Sequence, residues 1–195
     1  MKKSLFVLAL LGIILITGCA KNEANIDLEH SDKLSMPVEA DYVGEQTTII
    51  HKDFKAIMKA DWKELEVPPS TFVYLPPNTA EEDVNAEYIS IVSTPLGDSQ
   101  WTLDSLLEQG IENSKKLIPD FELTNSWTDS TPLIQPAKRI TFTGTQDGVK
   151  RNNVQVFGIK NNVLYGLTYS CPIEICSYYP IFNVLVESFE PVIAK

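Results

Sequence analysis

Two short turns, Asp147-Gly148 and Asn161-Asn162, decide most of what the C-terminal half of this 195-residue chain can become. Both dipeptides tolerate the positive φ values that tight hairpins require, and each joins two runs rich in β-branched and aromatic residues. The runs are AKRITFTG (137–144), RNNVQVFGI (151–159) and VLYGLTYS (163–170), with ELTNSW (122–127) ahead of them. The consequence is a meander of antiparallel neighbours. Ile140 and Phe142, Val154 and Val156, and Tyr165, Leu167 and Tyr169 follow period two. That spacing predicts one sheet face packed on a helix and the other meeting solvent.

Upstream, TFVYLPP (71–77) and AEYISIVST (86–94) have strand composition, and Pro76 and Pro77 end the first. Between these strands and the meander lies TLDSLLEQGIENSKKLIPD (102–120), where Leu103, Leu106, Leu107, Ile111 and Ile118 form one stripe at three- and four-residue spacing. Thr102 suits the N-cap, Asp104 the first turn, and Lys115 and Lys116 the last, all in accord with the helix dipole. Gly110 in its middle costs up to about 1 kcal/mol relative to alanine, which marks it as a close contact with the sheet. A second helix follows near the C-terminus. There Tyr178, Ile181, Phe182, Leu185, Val186 and Phe189 form a core-facing stripe, with Pro180 in the first turn and Pro191 as the stop. Strands, helix, strands, helix in that order make an α+β domain, an antiparallel sheet flanked by helices.

The N-terminus has a different logic. Lys2 and Lys3 precede an apolar run from Leu5 to Thr17, the pattern of an export signal. The run is shorter than the roughly 20 residues of a spanning helix. Ile16-Thr17-Gly18-Cys19 resembles the lipobox of bacterial-type lipoproteins, which implies cleavage before Cys19 and acylation of its thiol by fatty chains such as palmitate. Residues 1–18 are therefore read as a lipoprotein signal peptide. Residues 19–48 follow as an acylated cysteine and a polar tether, and residues 49–195 as one domain. The expected location is the extracytoplasmic face of the cell membrane, held by lipid.

Removing the leader takes away two lysines and no acidic residue, so 16 − 2 = 14 basic side chains face 26 acidic ones, a balance of −12. Such a chain is repelled by phosphate backbones and anionic head groups, which excludes nucleic acid as a partner class. His30 and His51 are the only histidines, so a histidine triad or multi-histidine metal site is not expected. No Gly-x-Ser-x-Gly elbow, phosphate-cradling glycine loop or HExxH helix is present, and the chain is read as not an enzyme.

Three local features remain. Cys171 and Cys176 are the thiols left once Cys19 is acylated. A structural disulfide is favoured there, with two buried free thiols or a redox or metal role as the other readings, although C-x4-C is not the thioredoxin spacing. Glu81, Glu82, Asp83 and Glu87 form the densest acidic cluster, a candidate calcium or manganese site without the alternating ligands and glycine turn of a dedicated calcium loop. A solvated loop is the simpler reading. Trp62, Trp101 and Trp127 are read as core or core edge rather than a binding cleft.

The succession of FKAIMKADWKELE (54–66), a strand ending before Pro76, the 102–118 helix, the Asp147-Gly148 hairpin, NNVLYGLTYS and a last helix closing on Glu187-Ser188-Phe189 resembles the PsbP family. That family comprises the extrinsic PsbP subunit of photosystem II and related prokaryotic PsbP-like lipoproteins. The resemblance runs over about residues 49–192, with Asp61-Trp62 and Ser188-Phe189 as short anchors. It implies a PsbP-like α+β domain and a noncatalytic binding or assembly role. The expectation is thus a membrane-anchored lipoprotein that binds a protein partner at the membrane surface, and the alternative is a lipoprotein that binds a divalent metal or small ligand.

Overall fold

A computed structural model describes residues 44–68, 71–97, 100–129, 134 and 136–192, and Cys19 and the leader lie outside them. Among the described residues ten strands form two sheets. In chain order they are β1 (Gln46–Ile50), β2 (Phe54–Lys59), β3 (Lys63–Val67), β4 (Thr71–Leu75), β5 (Tyr88–Pro95), β6 (Glu122–Asp129), β7 (Ala137–Gln146), β8 (Val149–Lys160), β9 (Val163–Pro172) and β10 (Glu190–Pro191). Two helices, α1 (Leu103–Leu117) and α2 (Tyr179–Ser188), complete the described chain.

The large sheet has seven strands in the order β3-β4-β5-β9-β8-β7-β6, and a small one has the order β1-β2-β10. The chain lays down β3 to β5, crosses through α1 to the far edge, and returns by the meander until β9 pairs with β5. Both expected hairpin turns are present. Asp147, Gly148, Asn161 and Asn162 all have positive φ, between 51° and 82°. In α1, the Thr102 side chain accepts from the Ser105 amide at 3.1 Å and the Ser105 hydroxyl accepts from the Thr102 amide at 3.2 Å, a reciprocal cap.

Two expectations are corrected. The sequence pattern implied one sheet, whereas a second, three-stranded sheet is present and begins at Gln46, inside the stretch read as tether. Exposed Gln46-Thr47-Thr48 carry no burial signal, and only pairing with β2 makes them a strand. The large sheet also does not leave a face to solvent at its centre. The β7–β8 and β8–β9 registers, Arg139↔Val156 and Val156↔Leu167, put Val154, Val156, Tyr165, Leu167 and Tyr169 on one face. Ile140 and Phe142, one residue out of phase, fall on the other. The period-two runs are real, but they serve two cores.

The first face is covered by α2 and the small sheet. Ile89, Ile91, Leu167 and Tyr169 meet Phe182 and Leu185, while Phe54 stacks on Phe189 at 5.3 Å between ring centroids. Each such side chain contributes roughly 1.5–3 kcal/mol when fully buried. The second face is covered by α1 in two separated clusters. Leu103 and Leu106 pack with Leu96 and Leu164, and Ile118 packs with Ile140 and Phe142.

Gly158 is required by packing on the first face, because a Cβ there would overlap the Ile134 side chain, whereas at Gly166 it would make ordinary contact with Phe157 at 3.5 Å. Gly158→Ala is therefore expected to lower stability by about 1–3 kcal/mol. Gly166→Ala should cost much less, and denaturant melts of the pair check this; equal melts would contradict the packing.

Candidate functional site

Three connections meet at one end of the large sheet. They are residues 76–87 between β4 and β5, the Asp147-Gly148 turn between β7 and β8, and residues 173–178 between β9 and α2. Two buried charges tie them together. Arg151, at the start of β8, is 3 % exposed, and its Nε donates to Ser170 Oγ at 2.8 Å. Its Nη1 donates to the Val84 carbonyl at 3.0 Å and its Nη2 to the Ala86 carbonyl at 2.6 Å. Only a planar guanidinium fork serves three such acceptors at once. Its plane also lies 5.1 Å from the Tyr88 ring centroid. Burial lowers the Arg151 pKa from its ordinary value, and the nearby Tyr88 and Glu87 oppose that shift. Burial likewise raises the pKa of Tyr88, against the pull of Arg151.

Glu87, also buried, faces the opposite way along the same strand end. Its carboxylate accepts from the Ser177 amide at 3.0 Å, from the Tyr178 amide at 3.2 Å and from the Tyr169 hydroxyl. This is an N-terminal cap for α2 supplied from another element. Tyr178 at the α2 N-cap makes no side-chain cap bond of its own. The favoured Cys171–Cys176 disulfide is present and closes the same connection with a Cα–Cα distance of 5.3 Å. Ile175 N–H donates to the Pro172 carbonyl at 2.9 Å, and Ile173 N–H donates to the Lys150 carbonyl at 3.0 Å.

The acidic cluster is not one set of ligands. Glu87 is turned into the fold as a cap, while Glu82 and Asp83 are exposed and Glu81 is paired with Lys63. Among the described residues no group of three or more His, Cys, Asp or Glu side chains is placed to hold a metal ion. The tryptophans are dispersed. Trp62 is buried against Tyr178, Trp101 packs beside the Leu103 cluster, and Trp127 lies 38 % exposed on edge strand β6 with the Arg139 guanidinium 5.9 Å from its ring. His51 bonds Tyr74 at 3.0 Å and Glu64 at 3.2 Å. Burial, with Glu64 adding to it, raises the pKa of Tyr74 far above the usual tyrosine range.

A concavity lies between α1 and the sheet, in the gap between the two leucine- and isoleucine-rich clusters. It is small, about 40 Å³, room for a few water molecules. Ser90, Gln155 and Thr168 form its floor, Ser114 and Gly110 its roof, and its flanks are apolar. Gly110 was expected at a close contact with the sheet, and that is corrected: it lines the gap where helix and sheet stand apart over polar residues. Two residues further along β8 on the same face, Asn153 is 1 % exposed, and its amide atoms have no protein hydrogen-bond partner among the described residues. The sequence signal for this floor was the polar series Asn153 and Gln155 alternating with Val154 and Val156. Arg151 gave the same kind of signal, a charge at an inward position of a strand.

Arg151→Lys retains the charge but loses the fork, leaving buried acceptors unpaired. A loss of about 1–3 kcal/mol is expected, read as a lower midpoint in urea, and an unchanged midpoint would contradict the clamp. Removing the disulfide by Cys171→Ala with Cys176→Ala should cost about 2 kcal/mol for so short a loop. Thermal melts of the oxidised protein and the variant check this.

No known family profile matches the chain, and no curated protein matches its sequence. Solved structures do match in shape. Cyanobacterial PsbP (CyanoP) from Synechocystis sp. PCC 6803 superposes with a TM-score of 0.56 at 10 % identity over 81 % of this chain and 99 % of that one. LpqN, involved in cell envelope biogenesis of Mycobacterium tuberculosis, gives 0.55 at 13 % identity over 76 % of this chain and 91 % of its own. The Ran-binding protein Mog1p of Saccharomyces cerevisiae gives 0.54 at 11 % identity over 75 % and 95 % respectively. With its strand–helix–strand–helix order and antiparallel sheet packed between helices, the chain has the PsbP-like fold.

Proposed function

We propose that the protein is an extracytoplasmic lipoprotein, held in the membrane by acyl chains on Cys19, whose PsbP-like domain is a noncatalytic module that binds or helps assemble a protein partner. The observation that carries the binding role is the loop end of the large sheet. Two buried charges and a disulfide there fix backbone segments that have no reactive side-chain constellation to position. Rigid display of a surface is what a binding module needs, because ordering costs are then met before association. The Ran-binding description of Mog1p, on the same fold, supports the same reading. The lipobox supports the anchoring, and two or more acyl chains supply the retention a single chain does not.

Cys19→Ser is expected to move the protein from the membrane pellet to the soluble fraction. Capture of the wild type from crosslinked membranes should recover a partner in near-stoichiometric amount. Retention of the variant in the pellet would contradict the anchor, and recovery of the protein alone would contradict the module.

The concavity under α1 favours a second reading, a small-ligand lipoprotein. Its lining carries hydroxyl and amide groups and no charged side chain, and its volume is about 40 Å³, so a matching ligand is neutral and only a few heavy atoms in size. Native mass spectrometry of the protein purified from its own cells should then show a bound neutral mass, lost in Gly166→Trp. An unliganded mass in wild type would contradict this reading.

A further inference from the structure

Among the described residues seven large apolar side chains are exposed, and three of them, Val84 (37 %), Ile173 (43 %) and Ile175 (54 %), lie on the connections that meet at the loop end of the large sheet. The bonds already described bring the backbones that carry them to this one sheet end. Arg151 holds the Val84 carbonyl, and the residue before it, Lys150, accepts from the Ile173 amide. Ile173 and Ile175 stand within the loop closed by Cys171 and Cys176. The backbone beneath Val84 is equally fixed. Ala86 N–H donates to the Asp83 carbonyl at 3.1 Å, and Asn85 N–H donates to Asp83 Oδ1 at 2.9 Å. Exposing isoleucine in a mobile loop costs little, but here a disulfide, a capping carboxylate and a guanidinium fork hold it outward.

Charge around this apolar tip is mainly negative. On the same connections Glu82, Asp83, Asp147 and Glu174 are exposed, against Lys150 and against Lys63, which pairs with Glu81. Arg151, though close, is buried and spends its donors internally. Such a rim disfavours an anionic bilayer surface and disfavours a second copy of the same tip, since both would bring like charges together.

The first described residues, Gly44 and Glu45, lie at this end too. Ala60 N–H donates to the Glu45 carbonyl at 3.0 Å, and Trp62 packs edge-on against Tyr178 at 5.2 Å, beside the Glu87 cap.

We infer that Val84, Ile173 and Ile175, rimmed by Glu82, Asp83 and Glu174, form a preformed docking tip for a membrane-associated protein that offers an apolar pocket edged by lysine or arginine. This rests on the binding-module reading above and adds the surface and the chemistry of the partner.

The test uses the full-length anchored protein in its own cells, with a photo-crosslinking amino acid at position 173 or 175 and, as control, at Leu117, an exposed apolar position at the end of α1. The tip probes are expected to crosslink one protein at a segment rich in Lys or Arg, and the Leu117 probe is not. Ile175→Asp and, separately, Glu174→Lys should weaken capture of that protein about tenfold with unchanged melting temperature, as loss of a central anchor or rim charge does. A partner recovered in full by whole-protein capture, but untouched by the tip probes and both variants, would overturn the docking tip and leave the binding module standing. Wild-type capture with no partner at all would overturn both. Tip crosslinks confined to lipid or to another copy of this chain would likewise overturn the tip.

Discussion

The pairing of β5 with β9 is the constraint on which the rest of the structure depends. It joins the first half of the fold, β1 to β5, to the meander that follows α1, and it does so across eight residue pairs from Tyr88↔Ser170 to Pro95↔Val163. Because side chains alternate across a strand, this register alone assigns Ile89, Ile91 and Tyr169 to the α2 face and Ser90, Val92 and Thr168 to the α1 face. A slip of one residue would carry the polar floor of the concavity into the main core. It would also part Glu87 from Tyr169 and turn Tyr88 away from Arg151.

The same register explains why one end of the sheet holds so much buried polarity. Glu87 and Tyr88 are neighbours pointing to opposite faces, so a single strand start caps α2 on one side and packs against the Arg151 fork on the other. Hydrogen bonds to charged groups contribute about 1.5–3 kcal/mol each, but burying the charges costs much of that again. What is gained is position more than stability. The connections at this end are fixed relative to the sheet and to each other, which is the property that a protein-docking surface uses.

Much of this was legible in the sequence where local rules and tertiary structure agree. The Asp147-Gly148 and Asn161-Asn162 turns, the capped α1 stripe and the α2 stripe after Pro180 each declare themselves within a dozen residues. The disulfide was indicated by Cys171 and Cys176 being the thiols left once Cys19 is read as acylated in an exported chain. What stayed hidden depends on partners far along the chain. Gln46-Thr47-Thr48 is a strand only because β2 lies beside it, and the two-faced burial of the meander needs the register between strands, which periodicity within one strand does not contain. Glu87 belongs by sequence to the acidic run that begins at Glu81, and only the fold turns it inward to the amides of Ser177 and Tyr178, some 90 residues on. Ile173 and Ile175 read as ordinary loop residues until the buried supports beneath them are seen.

The central claim is that the end of the sheet held by Glu87, Arg151 and the disulfide is the surface the protein uses. Hydroxyl-radical footprinting of the anchored protein in intact membranes, compared with the purified domain, tests it most directly. Protection of Val84, Ile173 and Ile175 in membranes, with Leu117 and Trp127 equally reactive in both samples, is the predicted result. Equal reactivity of the tip in the two samples would contradict a docking role for this end of the fold.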